Sequence, residues 1–412
     1  MPYQRYSSYR RPYIRQPQAR SKRRWPKRLF VFALLAGVVF LTFNILGGKD
    51  GGLAGIVKNQ PQKVRIEGRY LFGGTVVWAR HMQDWSKNAD GSTNYAYPFS
   101  GLHTFERDKY DAWLADLECP VMTEEFSVAQ QTTETAFNCR PEFLPEAAKY
   151  FNFFNLANNH TRDFNGQAAL DETRRHLETA GIQYFGDFEP GKTGNICEVV
   201  AMPVRIISEL DGQESSEAAQ LPVALCSWHY FFRLPSGSEI ETMRKYAEAM
   251  PTFAFIQAGI EYRASADQYQ RQMARQVADL NPSFVVVNSA HWVQNGEAYN
   301  GVPILYSTGN FIFDQQTNNE VTRSTSLDAT LSIPYSGQLQ KWLDLGASCK
   351  TFHDDCFKQI SAQSLEKPAI SMAYDLIAGD SSNKLTKKAG PEIQAAVEQR
   401  VGWPAIKAAL GQ

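Results

Sequence analysis

The chain has 412 residues, 43% of them hydrophobic and 21% charged, with a formal net charge of −1. This composition excludes a disordered or collagen-like chain and is large enough for one sizeable core or two ordinary ones. The near-zero charge hides a division: residues 1–28 carry ten Lys or Arg and no acid, leaving 32 basic against 43 acidic residues in the rest.

Residues 1–28, rich in Arg, Tyr, Ser, Pro and Gln, read as a disordered basic tail. Residues 29–46 form an uncharged run of about 18 residues, just long enough to span a bilayer core. With cations on its amino side, the positive-inside rule puts the tail in the cytoplasm. A single-pass plasma-membrane helix is therefore expected over 29–47, followed by a Gly-rich linker over 48–63 and everything beyond outside the cell. A cleaved signal peptide is the rival reading. The tail is read as a topology determinant touching anionic lipid, and no nucleic-acid role is expected.

Strands are expected at 64–72, 110–117 and 151–157. Next comes a helix over 167–180, with Leu170, Thr173, Leu177 and Ala180 on one face and Gly181 at its end. A strand follows from 183, and apolar runs lie at 223–228 and 253–258. A second helix is expected over 266–280, with Tyr269, Met273, Val277 and Leu280 as its core stripe. Strands at 284–287 and 304–307 follow, then alternation over 325–333, a loop-like stretch and a helix over 391–401. This succession argues for an α/β fold with a layered sheet core. The expected domain runs from 64 to 333, with 334–412 as an extension packed on it or appended.

The six cysteines are scattered, without a CxxC pair, and suit disulfides in an oxidising compartment. Cys349 with Cys356 is the first expected pair. Cys119–Cys139 and Cys197–Cys226 are two choices among 15 connectivities, and buried free thiols are the alternative.

Polar groups recur where apolar runs end: Gly73-Gly74, Glu118, Asn158-Asn159-His160, Gln257, Asn288-Ser289-Ala290-His291, Asn310 and Asp314. Side chains at one edge of a sheet converge on one pocket.

Four segments carry a resemblance: NLANNHTRDF (155–164), AGIQYFG (180–186), the stretch from 258 to 293 ending NSAHWV, and GVPILYSTGNFIFDQ (301–315). Together they resemble the CapA family of poly-γ-glutamate capsule synthesis proteins, itself similar to calcineurin-like metallophosphatases, over about 64–333. The resemblance implies a four-layer α/β sandwich and a two-metal-like pocket. It implies Glu118 as bridging carboxylate, Asn159 as amide ligand, His291 as a second imidazole ligand and His160 as the catalytic acid. Asn158, Asp163, Gln257, Ser289, Asn310 and Asp314 are implied as polar binding positions.

The chain departs from that pattern. Gly73-Gly74 stands for Gly-Asp, Gln257-Ala258-Gly259 for His-Trp-Gly, and Ser289-Ala290-His291 for His-x-His. Glu118, Asn159 and His291 are therefore expected to hold at most one divalent cation (manganese, zinc or iron), or none. His81 and Asp84 are offered as substitutes from the next loop.

The expected function is that of an outward-facing accessory protein in synthesis, export or tethering of an anionic surface polymer, with that polymer or its synthesis machinery as partner. The alternatives are an active metal-dependent hydrolase of phosphate or amide bonds and a purely structural assembly protein. The oligomeric state is left open.

Overall fold

A computed structural model describes residues 63–210, 213–229, 233–346, 348–349 and 353–412. The expected tail, membrane helix and most of the linker lie outside the described residues. Among those described, no helix is long and apolar enough to cross a membrane.

The strands are β1 Lys63–Val76, β2 Ala112–Leu117, β3 Phe153–Asn155, β4 Gln183–Phe185, β5 Cys197–Leu210, β6 Gln213–His229, β7 Thr252–Gln257, β8 Val285–Asn288, β9 Gly296–Tyr299, β10 Val302–Leu305, β11 Asn310–Ile312, β12 Arg323–Pro334, β13 Ser371–Asp380 and β14 Lys387–Lys388. Hydrogen bonds join them into one fourteen-stranded mixed sheet rather than two separate ones.

β1 makes that join. Its first residues pair antiparallel with β5, and Tyr70–Val76 pair parallel with β2. One limb then runs β1-β2-β3-β4, and the other β5-β6-β7-β8-β10-β9. β12 lies along the other edge of β1, and β13 and β14, from the expected extension, continue outward from it. The β1–β2 register shifts between Phe72 and Thr75, at the Gly73-Gly74 pair. This is a bulge beside the site, as bulges often are.

Strand alternation places the first limb between two cores. Tyr70, Phe72, Ala112, Leu114 and Phe153 join the cluster shared with Val223, Leu225, Phe253, Phe255 and Val285 of the other limb. Leu71, Trp113, Ala115, Leu117 and Phe154 face the opposite way, into a second cluster with Leu170 and Leu177. The parallel strands β2, β7 and β8 are buried at every residue, as strands covered on both faces must be.

The helix Gln167–Ala180 has its expected limits and buries Leu170, Thr173 and Leu177, with Gly181 left-handed at φ 74°. The second helix is shorter than expected, Gln268–Ala278. Asp267 caps it by accepting from the Gln270 amide. Tyr269 falls in the open first turn and is 65% exposed, so it is not part of the core stripe. The stretch expected to be loop-like holds the helices Gly337–Gly346 and His353–Ala362. All three named disulfides are present: Cys119–Cys139, Cys197–Cys226 and Cys349–Cys356.

Candidate functional site

β2 carries Asp116 to the same face as Ala112 and Leu114, the face turned toward the other limb, and Glu118 follows two residues on. From that limb the parallel strands β6, β7 and β8 end level with one another, His229 opposite Gln257 and Gln257 opposite Asn288. The two edges meet where the Gln257 amide Nε2 donates to Glu118 Oε1. Glu118 and Gln257 are each 1% exposed. Around this bond Glu118 Oε2, Asp116 Oδ2, Gln257 Oε1 and Ser227 Oγ have no hydrogen-bond partner among the described residues. Buried polar atoms are seldom left so, and a cluster of them marks a place for a ligand group or water. Burial, with the Glu118 charge beside it, holds the Asp116 carboxyl well above the usual carboxylate range, against the Asn158 hydrogen bond.

The turn after β3 presents the amide pair and the imidazole. Asn158 is fully enclosed: its amide donates to Asp116 Oδ1 (3.1 Å) and Leu117 O (2.8 Å), and its Oδ1 accepts from the His160 amide (3.1 Å). These bonds fix the turn against the end of β2. Asn159 is half-buried and lines a cavity. His160 Nδ1 lies 2.7 Å from Asp163 Oδ2, which also accepts from the Phe137 amide at 2.7 Å. Asp163 thus braces the imidazole and the neighbouring loop together, and the His160 ring rests on Phe137 at 4.2 Å.

After β8 the backbone is left-handed at two non-glycine residues, Ser289 (φ 112°) and His291 (φ 59°). Strain of this kind persists where the surroundings impose it, commonly at functional sites. Ser289 is buried. His291 Nδ1 is 2.9 Å from Asn310 Oδ1, its Nε2 is 3.8 Å from Glu261, and its ring stacks on Tyr262 at 5.6 Å. Burial pushes the imidazole down, but the Glu261 carboxylate 3.8 Å away, the Glu118 charge and Asn310 outweigh it and leave the His291 pKa raised. The His291 imidazole in turn holds Glu261 below its usual range against burial.

Three expected positions serve elsewhere. Asp314 is taken up by the Arg80 guanidinium and by the His81 amide at 3.1 Å, and so braces a loop. The exposed His81 ring stacks on Trp85, and Asp84 pairs with Lys87 at 2.7 Å. Neither of these two stands in for the missing Asp. His229, absent from the sequence expectation, ends β6 beside Gln257. Burial pushes its imidazole down, the Phe188 carbonyl partly offsets this, and the His160 charge lowers it further. Its one sequence signal is a polar residue closing the apolar run 223–228.

The residues present do not fit a two-metal centre. Gln257 engages one Glu118 oxygen, His291 is held between Asn310 and Glu261, and position 74 has no side chain. Among the described residues no three His, Cys, Asp or Glu side chains gather closely enough to ligate a metal ion.

Fold and site together define an α/β protein with a polar hollow at the carboxyl edge of its parallel strands. Residues 69–315 match the family described as "Bacterial capsule synthesis protein PGA_cap", and the chain belongs to that family. It is 27% identical over 253 residues to the "PGA biosynthesis protein CapA" of Bacillus subtilis (strain 168), covering 59% of this chain and 63% of that one. It is 25% identical over 249 residues to the "Capsule biosynthesis protein CapA" of Bacillus anthracis, covering 59% of each. The match thus spans less than two thirds of either relative. The crystal structure of TT1561 of Thermus thermophilus aligns with 63% of this chain and 93% of its own at 10% identity and a TM-score of 0.30, a likeness too slight to decide anything.

Proposed function

We propose that this chain is a membrane-anchored accessory protein in the synthesis, export or tethering of an anionic surface polymer such as poly-γ-glutamate. In this reading the tail is cytoplasmic and the sheet domain lies outside. The family match over 69–315 carries the reading, because that stretch contains every strand end of the hollow from Glu118 to Asn310. Two relatives named for capsule or PGA biosynthesis support it. The finer architecture proposed is a metallophosphatase-like four-layer sandwich, supported by the two apolar clusters on either face of the β1–β4 limb.

The hollow works in this reading as a binding pocket with eroded metal ligands. Gln257 supplies Glu118 with a neutral donor where the resemblance implies an imidazole ligand, and His291 brings the positive charge. His160, oriented by Asp163, is the group placed to hand a proton to a bound ligand.

The test is Glu118→Ala and His160→Ala in cells that make the polymer. The expected outcome is loss of surface polymer with the protein still folded and present; undiminished polymer from both variants refutes the reading. Elemental analysis of protein loaded with manganese or zinc and dialysed is expected to find less than one metal per chain. Stoichiometric metal together with hydrolysis of a generic phosphoester establishes the metal-dependent hydrolase instead.

A further inference from the structure

A cavity of about 1040 Å³ opens beside the hollow, with Asn159 on one wall and the loop 259–262 and the first turn of the helix Gln268–Ala278 on the others. Ile260, Tyr262 and Tyr269 line it and are 56%, 42% and 65% exposed, half of the large exposed hydrophobic residues among those described. Apolar side chains gathered at the mouth of a cleft mark a contact for a ligand or partner. The charged residues lining the cavity are both acidic, Glu261 and Asp267. Asp267 makes its cap with one oxygen, and the Glu261 side chain is 53% exposed. Of the cations around it, Arg80 is held by Asp314 and His291 by Glu261 and Asn310, and the exposed Arg263 beside Tyr262 does not line the cavity. A ligand carrying a carboxylate on every unit meets only like charge on this lining.

We infer that this cavity takes a primary ammonium group on a neutral or apolar stem, held by Glu261 and Asp267 with the Tyr262 and Tyr269 rings flanking the cation. The inference rests on the proposed function only in placing the cavity beside the same hollow. For an anionic polymer, the part that fits is an amine-bearing end or an amine acceptor, not the carboxylate-bearing body.

The experiment titrates the full chain with hexylamine, hexanol and hexanoate at neutral pH and low salt, read by calorimetry. Hexylamine is expected to bind about tenfold or more tightly than hexanoate, with hexanol between them. Glu261→Gln combined with Asp267→Asn, which keeps a competent helix cap, is expected to bring hexylamine and hexanol within about threefold of each other. Equal binding of all three, or a preference for hexanoate, overturns the inference. A hexanoate preference leaves the polymer reading standing, whereas normal polymer from the Glu118 and His160 variants removes that reading and leaves the amine preference intact.

Discussion

At position 74 a side chain has no room. A Cβ there would lie 2.1 Å from the Gly309 carbonyl oxygen and 2.9 Å from Thr308 Oγ1, and the Thr75 amide holds the two segments together by donating to that same carbonyl at 3.2 Å. The aspartate that the resemblance implies near this point is therefore not one substitution away, because the backbone at 308–309 would have to move with it. Gly73 is less confined, since its Cβ would meet the Phe311 ring at 3.3 Å, and a ring edge yields more readily than a carbonyl. Gly74→Ala is expected to lower stability by about 2–4 kcal/mol and Gly73→Ala by about 1 kcal/mol or less, read from urea unfolding midpoints. Equal, small effects would show that the 308–309 turn gives way. Gly74→Asp is expected to lose stability without gaining metal affinity.

Among the elements, the three disulfides close loops of very different length, with separations of 7, 20 and 29 residues. Loop-closure entropy in the unfolded chain then ranks them at about 2.4 kcal/mol for Cys349–Cys356, about 3.3 for Cys119–Cys139 and about 3.6 for Cys197–Cys226, the last two nearly equal. Paired Cys→Ala variants are expected to lower urea midpoints in that order, and a reversed order would show that local packing outweighs chain entropy. Cys197 and Cys226 sit directly opposite each other on β5 and β6. Of these two strands only the apolar end of β6 was legible in the sequence. The outer half of β6, the segment QESSEAAQ, is largely exposed, polar on both faces and shows no alternation, while β5 there is held between β6 and β1. The helix Gly237–Ala249 is likewise hidden by its polar composition, and the Ser236–Glu239 capping box is its clearest local signal. The helices 167–180 and 391–401 were legible because apolar spacing and a terminal glycine coincide. The site follows the same division. Polar residues closing apolar runs mark Glu118, His160 and Gln257, but the Gln257–Glu118 bond joins residues 139 apart and depends on how the limbs meet. His229 becomes visible only through its register with Gln257.

For the molecule as a whole, stability depends on protons stored in its interior. Glu198, on β5 and 5% exposed, has its pKa pushed up to about 8 from 4.5 by burial, with Arg174 opposing and Asp187 reinforcing the shift. The unfolded chain releases this proton near pH 4.5, whereas the folded chain keeps it to about 8. Between those values the folded state binds one more proton, so its stability falls as pH rises, by up to about 1.4 kcal/mol per pH unit. Asp116, also raised, acts in the same direction, and His229, lowered, acts in the opposite one. Comparison with Glu198→Gln separates the contribution of Glu198 from theirs, since the amide keeps the shape and cannot ionise. The variant is expected to gain on the parent steadily from pH 5 to pH 8 in urea unfolding, with the two curves running parallel above about pH 9. A constant offset across the whole range would mean that the Glu198 carboxylate is ionised in the folded state, its charge satisfied by Arg174 in place of a proton.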